Sequence, residues 1–357
     1  MLRKLPMTVR QSVRDLTMQQ LHKDNHYVPK LYLKQWAQDG GISTYRLLVP
    51  NEKLPLWRMH SLKGIAYQEH LYNYVVSGHQ TDEFERWLDS EFEAPAEEVI
   101  SRVVRDEKLL PDQWRTLIRF AMAQDVRTPA RYREFVARQS TTLQPLLNET
   151  LERSITELEL AVSDGRSLRR CQATELEKFP FNLVIEPQPN GDGMLQAHTI
   201  VGRRLWVWNA RRLLTDTIKK IPMKGWVILN APPGLSWPTS DNPLIRLNFH
   251  GPEKYDFKGG WGVKNEDILL PLSPKHLLYT CIGSRPKICA ATLDLQTAQF
   301  MRRIIIEHAD RYVFSTEPSD VHLIRPRTIC AEQFMAERRA WGDWNREQSE
   351  AEAKLAR

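Results

Sequence analysis

Four side chains in this 357-residue chain have types and settings suited to chemistry: His26, Gln124, Arg127 and Asp241. His26 lies three residues ahead of Pro29, and proline fits the first turn of a helix, where its missing N–H costs nothing. The positive end of such a helix disfavours imidazolium, and a neutral ring can accept a proton or bind a metal. The same ring can instead close the helix start with a local hydrogen bond. Asp241 sits in Thr239-Ser240-Asp241-Asn242-Pro243, a strong turn signal ahead of a β-type run. A carboxylate on that loop can bind a metal or orient His26, or it can cap its own backbone as an Asx-turn.

Gln124, Arg127 and Arg131 follow Phe120 at helical spacing along the edge of an apolar stripe. An arginine there can grip a carboxylate or phosphate with a bidentate fork, unless the stripe ends at Met122 and the three groups lie in solvent. Glu69 and His70 are adjacent, so on a helix they diverge by about a hundred degrees. Glu83 and Glu91 read as solvated acids that complement a helix dipole. Arg203, Arg204, Arg211 and Arg212 alternate with Trp206 and Trp208. Such a mixture can contact phosphates and stack on bases, but a wet basic face over a buried aromatic one is the preferred reading.

The elements that must position these groups are mixed. Lys30 to Trp36 predicts a short aromatic-rich helix, stopped by Asp39-Gly40-Gly41. Residues 42–48 and 56–59 read as paired strands, 61–70 as a short helix and 71–76 as a strand. Phe84, Leu88, Phe92, Ala96, Val99, Ile100 and Val103 keep a helical period, with Pro95 as a kink or division. Further helices are predicted from Pro111, ending or kinking near Pro129, over 141–162, over 198–218, over 293–308 and over 329–357. A terminal amphipathic helix is predicted at 8–21, and β-type runs separated by Pro and Gly fill 225–281.

These elements predict an α+β fold: a helical layer packed against a β-rich C-terminal part, with small N-terminal strands. The divisions are an N-terminal extension at 1–24, a mainly helical lobe at 25–165, an irregular connection at 166–195, a β-rich lobe with helices at 196–328, and a C-terminal helix with a frayed tail at 329–357.

Composition narrows the class. A net charge of +6 from 50 Lys+Arg against 44 Asp+Glu permits an anionic partner such as nucleic acid but does not demand one. The four cysteines, Cys171, Cys281, Cys289 and Cys330, form no CxxC pair, which suits reduced thiols and a cytoplasmic setting. No apolar run is long enough to cross a bilayer, and no secretory signal opens the chain. The phosphate loop, dinucleotide fingerprint, HExxH helix and GxSxG elbow are all missing.

His26-Tyr27-Val28-Pro29 followed by Leu31-Tyr32-Leu33 resembles the opening motif of a mainly bacterial family, a domain of unknown function. Four later blocks resemble that family in order: Ile65-Ala66-Tyr67 with Leu71-Tyr72; Gln124 with Arg127-Thr128-Pro129; Ser240-Asp241-Asn242-Pro243; and Leu270-Pro271-Leu272-Ser273-Pro274. The resemblance spans roughly 25–315. It implies that the segments form one ensemble, and it brings no activity, substrate or catalytic residue.

Two functions remain open. One is a hydrolase, in its sharpest form a metal-dependent nuclease. His26 and Asp241 would then be the catalytic pair or ligands of a divalent metal, and Gln124 and Arg127 would bind substrate at the lobe junction. The other is a non-enzymatic ligand-binding or protein-interaction protein, in which the same residues are structural. Oligomeric state is not legible.

Overall fold

The computed structural model describes residues 21–355 apart from 77, 168–178, 188–192, 285 and 287–291. Most of the helix expected over 8–21, together with Cys171 and Cys289, lies outside them.

Strand β1 (Asp24–His26) leads into α1 (Lys30–Leu33), extended by a 3-10 turn over Lys34–Trp36. Pro29 takes an extended conformation and starts the helix. Tyr32, Leu33 and Trp36 are fully buried. The strands β2 (Gly41–Arg46), β3 (Leu48–Val49) and β4 (Trp57–Ser61) follow, then β5 (Tyr67–Glu69), β6 (Tyr74–Val76) and β7 (His79–Thr81). The helix expected over 61–70 is therefore a strand end, a 3-10 turn at Leu62–Gly64 and β5, which pairs antiparallel with β1. Ala66 and His70 take positive φ values of 53° and 57°, which no helix allows.

The helical layer consists of α2 (Glu83–Leu88), α3 (Ala94–Val104), α4 (Pro111–Val126) and α5 (Pro129–Ser163). A π-helical turn over Asp89–Glu93 joins α2 to α3 and absorbs the proline at position 95. The helix from Pro111 ends at Val126, just ahead of Pro129 as expected; Pro129 also begins a 35-residue helix, and the helix expected over 141–162 is its outer part. The Thr128 hydroxyl caps that start by accepting from the Arg131 N–H at 3.3 Å.

The hairpin β8 (Phe181–Pro187) and β9 (Gly193–Thr199) precedes α6 (Arg203–Thr215), so the helix starts five residues later than 198. The remaining strands are β10 (Trp226–Asn230), β11 (Thr239–Ser240), β12 (Ile245–Phe249), β13 (Tyr255–Asp256), β14 (Asp267–Pro271) and β15 (His276–Cys281). After them come α7 (Leu295–His308), β16 (Tyr312–Ser315), α8 (Val321–Ile324), β17 (Thr328–Ile329) and α9 (Ala331–Leu355).

The fold is α+β. An antiparallel five-stranded sheet has the order β10-β15-β14-β12-β13, and a four-stranded sheet has the order β11-β16-β2-β4. The second sheet pairs the N-terminal strands with the late strand β16, residue for residue from Arg46↔Tyr312 to Ser43↔Ser315. One apolar cluster runs from Tyr27, Tyr32 and Trp36 through the helical layer to Leu270, Leu272 and Phe314. Three hydrogen bonds fasten α1 and its 3-10 extension to the β-rich half: Tyr32 OH donates to the Pro271 carbonyl at 2.6 Å and accepts from Thr239 Oγ1 at 2.7 Å, and Trp36 Nε1 donates to the Trp237 carbonyl at 2.7 Å.

The C-terminal helix runs to Leu355 and is docked through Glu352, within the tail expected to fray. Arg203 and Glu352 are 0% and 4% exposed and form a two-pronged ion pair, Nε–Oε1 at 3.0 Å and Nη2–Oε2 at 2.7 Å. The Val75 N–H donates to the same carboxylate at 2.8 Å. Removing one partner of a buried pair strands the other charge, which costs about 3–5 kcal/mol. Glu352→Gln should therefore lower the unfolding free energy by about 3 kcal/mol or more in urea titration. A loss under about 1 kcal/mol is what a solvated surface pair gives, and would contradict this docking.

Candidate functional site

Arg127 lies at the end of α4 and is fully buried. Its Nη1 meets Glu93 Oε1 at 2.5 Å, and its Nη2 donates to the His26 carbonyl at 2.6 Å. The Tyr72 hydroxyl donates to the Arg127 carbonyl at 2.5 Å, and the Tyr72 ring lies 5.8 Å from the guanidinium. Burial pulls the guanidinium pKa down, but Glu93, Tyr72 and Glu85 more than offset it, so the net shift is upward and Arg127 stays charged. Burial pushes the nearby Glu85 carboxyl up to about 8. Every strong contact of Arg127 is thus with the protein itself.

The adjoining residue, Thr128, donates from Oγ1 to Asn242 Oδ1 at 3.1 Å. Asn242 in turn holds His308: ring Nδ1 is 2.9 Å from its carbonyl and Nε2 is 3.4 Å from its side-chain nitrogen. Burial drives the His308 pKa down to about 3, which fixes a neutral ring donating from Nδ1. Asp241 is 4% exposed and accepts the backbone N–H groups of Asp310 and Arg311 at 2.9 and 2.8 Å. The turn therefore caps the link between α7 and β16 rather than only its own backbone.

His26 and Gln124 occupy different settings. The His26 ring packs against Tyr67 at 5.6 Å, and its Nε2 is buried without a partner. Its pKa is lowered chiefly by burial and then by Lys30, so the neutral ring expected from the helix field arises mainly from desolvation. Gln124 is fully buried, and neither amide atom has a hydrogen-bond partner. The structure brings the His26 carbonyl to the Arg127 guanidinium, and Thr128 to Asn242, through neighbouring atoms. Of the four singled-out side chains, Asp241 lines an open cleft.

That cleft, about 320 Å³, lies where β2, β16, α5 and α9 meet. Asp241 and Tyr27 line it together with Arg46, Arg133, Arg311 and Arg338. Arg133 pairs with Asp310, and Arg311 forks onto Glu337 at 2.6 and 2.8 Å. Among the described residues Arg46 and Arg338 have no carboxylate partner; Arg46 Nη2 lies 3.2 Å from His60 Nε2. Burial raises the Asp241 pKa, and the neighbouring Asp310 raises it further, to about 7. Burial and the nearby Asp241 push the Tyr27 hydroxyl well above its ordinary value. The arginines come from four separate segments, so no local pattern marked them. Tyr27 stood inside the opening motif beside the histidine that drew attention.

Three other groups bear on function. Arg203, expected on a wet basic face, is fully buried beneath α9, while Arg211 and Arg212 lie over Trp87 and Trp208 at 4.2 and 5.5 Å. No continuous basic face runs from Arg203 to Arg212. Ser273, His276 and Asp106 form a relay, with Oγ–Nδ1 at 2.8 Å and Nε2–Oδ1 at 2.9 Å. Ser273 is 3% exposed, and its oxygen also accepts the Lys275 and His276 N–H groups, so the relay braces a turn. Among the described residues no group of three His, Cys, Asp or Glu side chains is arranged to hold a metal ion, and His26 with Asp241 does not make such a site. No described helix is long and apolar enough to cross a membrane.

The blocks joined by these bonds are the ones that resemble a known family. The chain belongs to the family described as Protein of unknown function (DUF4238), whose model matches residues 24–319. No curated protein and no solved structure matches the chain.

The Asp241 shift has a definite sign. An unfolded aspartate titrates near 3.9, so between about pH 4 and 7 the folded chain holds a proton that the unfolded chain has released. Stability contributed by this residue is present below that window and is lost as pH rises through it. Asp241→Asn removes the titration. The variant should gain stability relative to the parent between pH 4.5 and 8, measured by urea unfolding at each pH. The opposite trend would mean that the two N–H donors hold the carboxyl ionised at neutral pH.

Proposed function

We propose that this chain is a ligand-binding protein whose cleft, floored by Asp241, takes an anionic ligand. The observation that carries this reading is the pair of arginines, Arg46 and Arg338, which reach the cleft with no carboxylate partner among the described residues. A guanidinium fork is suited to phosphate or carboxylate. The polar residues of the family blocks support the same reading from the other side. Arg127, Asn242 and His308 are occupied by bonds that hold the fold together. The free thiol of Cys330 suits a cytoplasmic setting, and the opening HYVP motif suits a bacterial source.

A second reading, a hydrolase, is favoured by one feature. Asp241 is poised near neutrality on the cleft floor, where a carboxyl can deliver a proton to a leaving group. In this form Asp241 is the acid and the arginines hold the substrate. Arg127 positions the surrounding backbone through Glu93 and the His26 carbonyl. The nuclease version would need a nucleic-acid strand to enter the same cleft.

Binding is tested by following the thermal midpoint of the full chain during titration with inorganic phosphate at low ionic strength. The midpoint should rise, and the rise should disappear in the Arg46→Ala, Arg338→Ala double variant. A rise that survives in that variant places the anion elsewhere. Hydrolysis is tested on p-nitrophenyl phosphate. Turnover should fall as pH climbs through about 7 and vanish in Asp241→Asn. Turnover that persists in Asp241→Asn removes Asp241 as the acid.

A further inference from the structure

The arginine-lined cleft is one half of a longer groove. A second cavity, about 390 Å³, runs along β5 and α9 and shares Tyr27, Tyr67, Gln68, Tyr312 and Trp341 with the first. Together the two compartments fall within the size range of small-molecule sites, roughly 300–1,000 Å³. Their chemistry differs. The first is rimmed by four arginines. The second has none, and its polar surface comes from Gln68, Glu69, His70 and Asn345. Burial, then Arg203, lowers the His70 pKa, which keeps that end of the groove uncharged on the histidine.

Between the compartments lies a saddle of the rings that line both, Tyr27, Tyr67, Tyr312 and Trp341. Tyr67 is 37% exposed, and its ring is backed by His26. Trp341 is half-buried and backed by Trp344 at 5.2 Å. Tyr312 is backed by Phe314, with the planes only 13° apart. The backbone that presents Tyr67 is strained, because Ala66 and His70 on either side hold left-handed φ angles. That strain is held in place by hydrogen bonds: the Val28 N–H to the Ala66 carbonyl at 3.4 Å, the His70 N–H to the Lys23 carbonyl at 2.7 Å, and Arg203 Nη1 to the His70 carbonyl at 3.2 Å. Left-handed backbone at residues other than glycine clusters at ligand sites.

We infer that the groove binds a nucleoside phosphate, with the phosphate in the arginine compartment, the base stacked at the Tyr67–Trp341 saddle and the base edge in the polar compartment. This rests on the anion-binding reading and adds the ring to it. An inorganic anion fills only the first compartment. An aliphatic anion leaves the saddle without a stacking partner, whereas a nucleobase offers a flat π-face and a hydrogen-bonding edge. Arg338, Trp341 and Asn345 all belong to α9, which lies beyond the 24–319 span of the family match. These three side chains therefore lie outside the matched span.

The test is calorimetric titration of the full chain with adenosine, guanosine, cytidine and uridine 5′-monophosphates, with adenosine, and with inorganic phosphate. At least one monophosphate should bind tenfold or more tighter than both phosphate and adenosine. Trp341→Ala and, separately, Tyr67→Leu should each weaken that nucleotide about tenfold and leave phosphate affinity unchanged, as loss of one stacking surface predicts. Arg338→Ala should weaken both ligands. Tyr67 is exposed, so its variant reports even where Trp341→Ala fails to fold. If phosphate and all nucleotides bind equally and Tyr67→Leu changes neither, the ring is not recognised and only the anion reading survives. If neither phosphate nor any nucleotide binds, both readings fall together.

Discussion

A buried guanidinium with no access to water must find its partners within the protein, and Arg127 sets that constraint here. Stranding such a charge costs several kcal/mol, so each of its partners is fixed in turn. Glu93 fixes the π-helical turn against α4, and the His26 carbonyl fixes β1 against the helical layer. Tyr72, bonded to the Arg127 carbonyl, donates its own N–H to Asn25 Oδ1 at 3.0 Å. One step along the chain, Thr128 passes the connection to Asn242, and Asp241 passes it to the start of β16. The far block joins through Tyr32 and the Pro271 carbonyl. All five family blocks are thus stitched by side-chain hydrogen bonds, mostly between segments more than fifty residues apart.

This stitching explains why the conspicuous residues and the open surface do not coincide. A polar side chain with its hydrogen bonds already made inside the protein has little left to offer a ligand. The family blocks spend theirs on alignment, and alignment leaves Tyr27 and Asp241 facing a cleft whose rim comes from elsewhere. α9 closes that cleft from the side, held by Arg203 and Glu352 at one end and by Arg311 and Glu337 at the other. Gln124 fits this account least. Its amide is sealed in the core without a partner, at a cost of about 1–3 kcal/mol for each unsatisfied group, and we have no physical account of it.

Much of the fold was legible in the sequence because its signals are local. The 3.6-residue period marked the helices from Phe84 to Met122, and Pro29 marked the start of α1. The Asp241-Asn242-Pro243 turn stood out for the same reason. Residues 61–70 misled because the stretch holds no local strand signal, whereas pairing with β1 and the positive φ at Ala66 decide the outcome. Pro129 marked the end of α4, but Thr128 and Pro129 also form the capped, proline-led start of α5, which the reading of an end or a kink left out. Arg203 looked solvated because its partner Glu352 lies 149 residues away. The site was the least legible part. The choice of His26 came from a local argument about a helix dipole, while the arginine rim and the aromatic saddle exist only after folding.

The claim at the centre of this account is that the cleft, and not the Arg127–His26 cluster, receives the anion. Crystals of the full chain soaked in tungstate, a heavy phosphate analogue, test it most directly through anomalous scattering. The account predicts a peak between Arg46 and Arg338 beside Asp241, with Arg127 still bonded to Glu93 and the His26 carbonyl. A peak at Arg127, with Glu93 displaced, would contradict it.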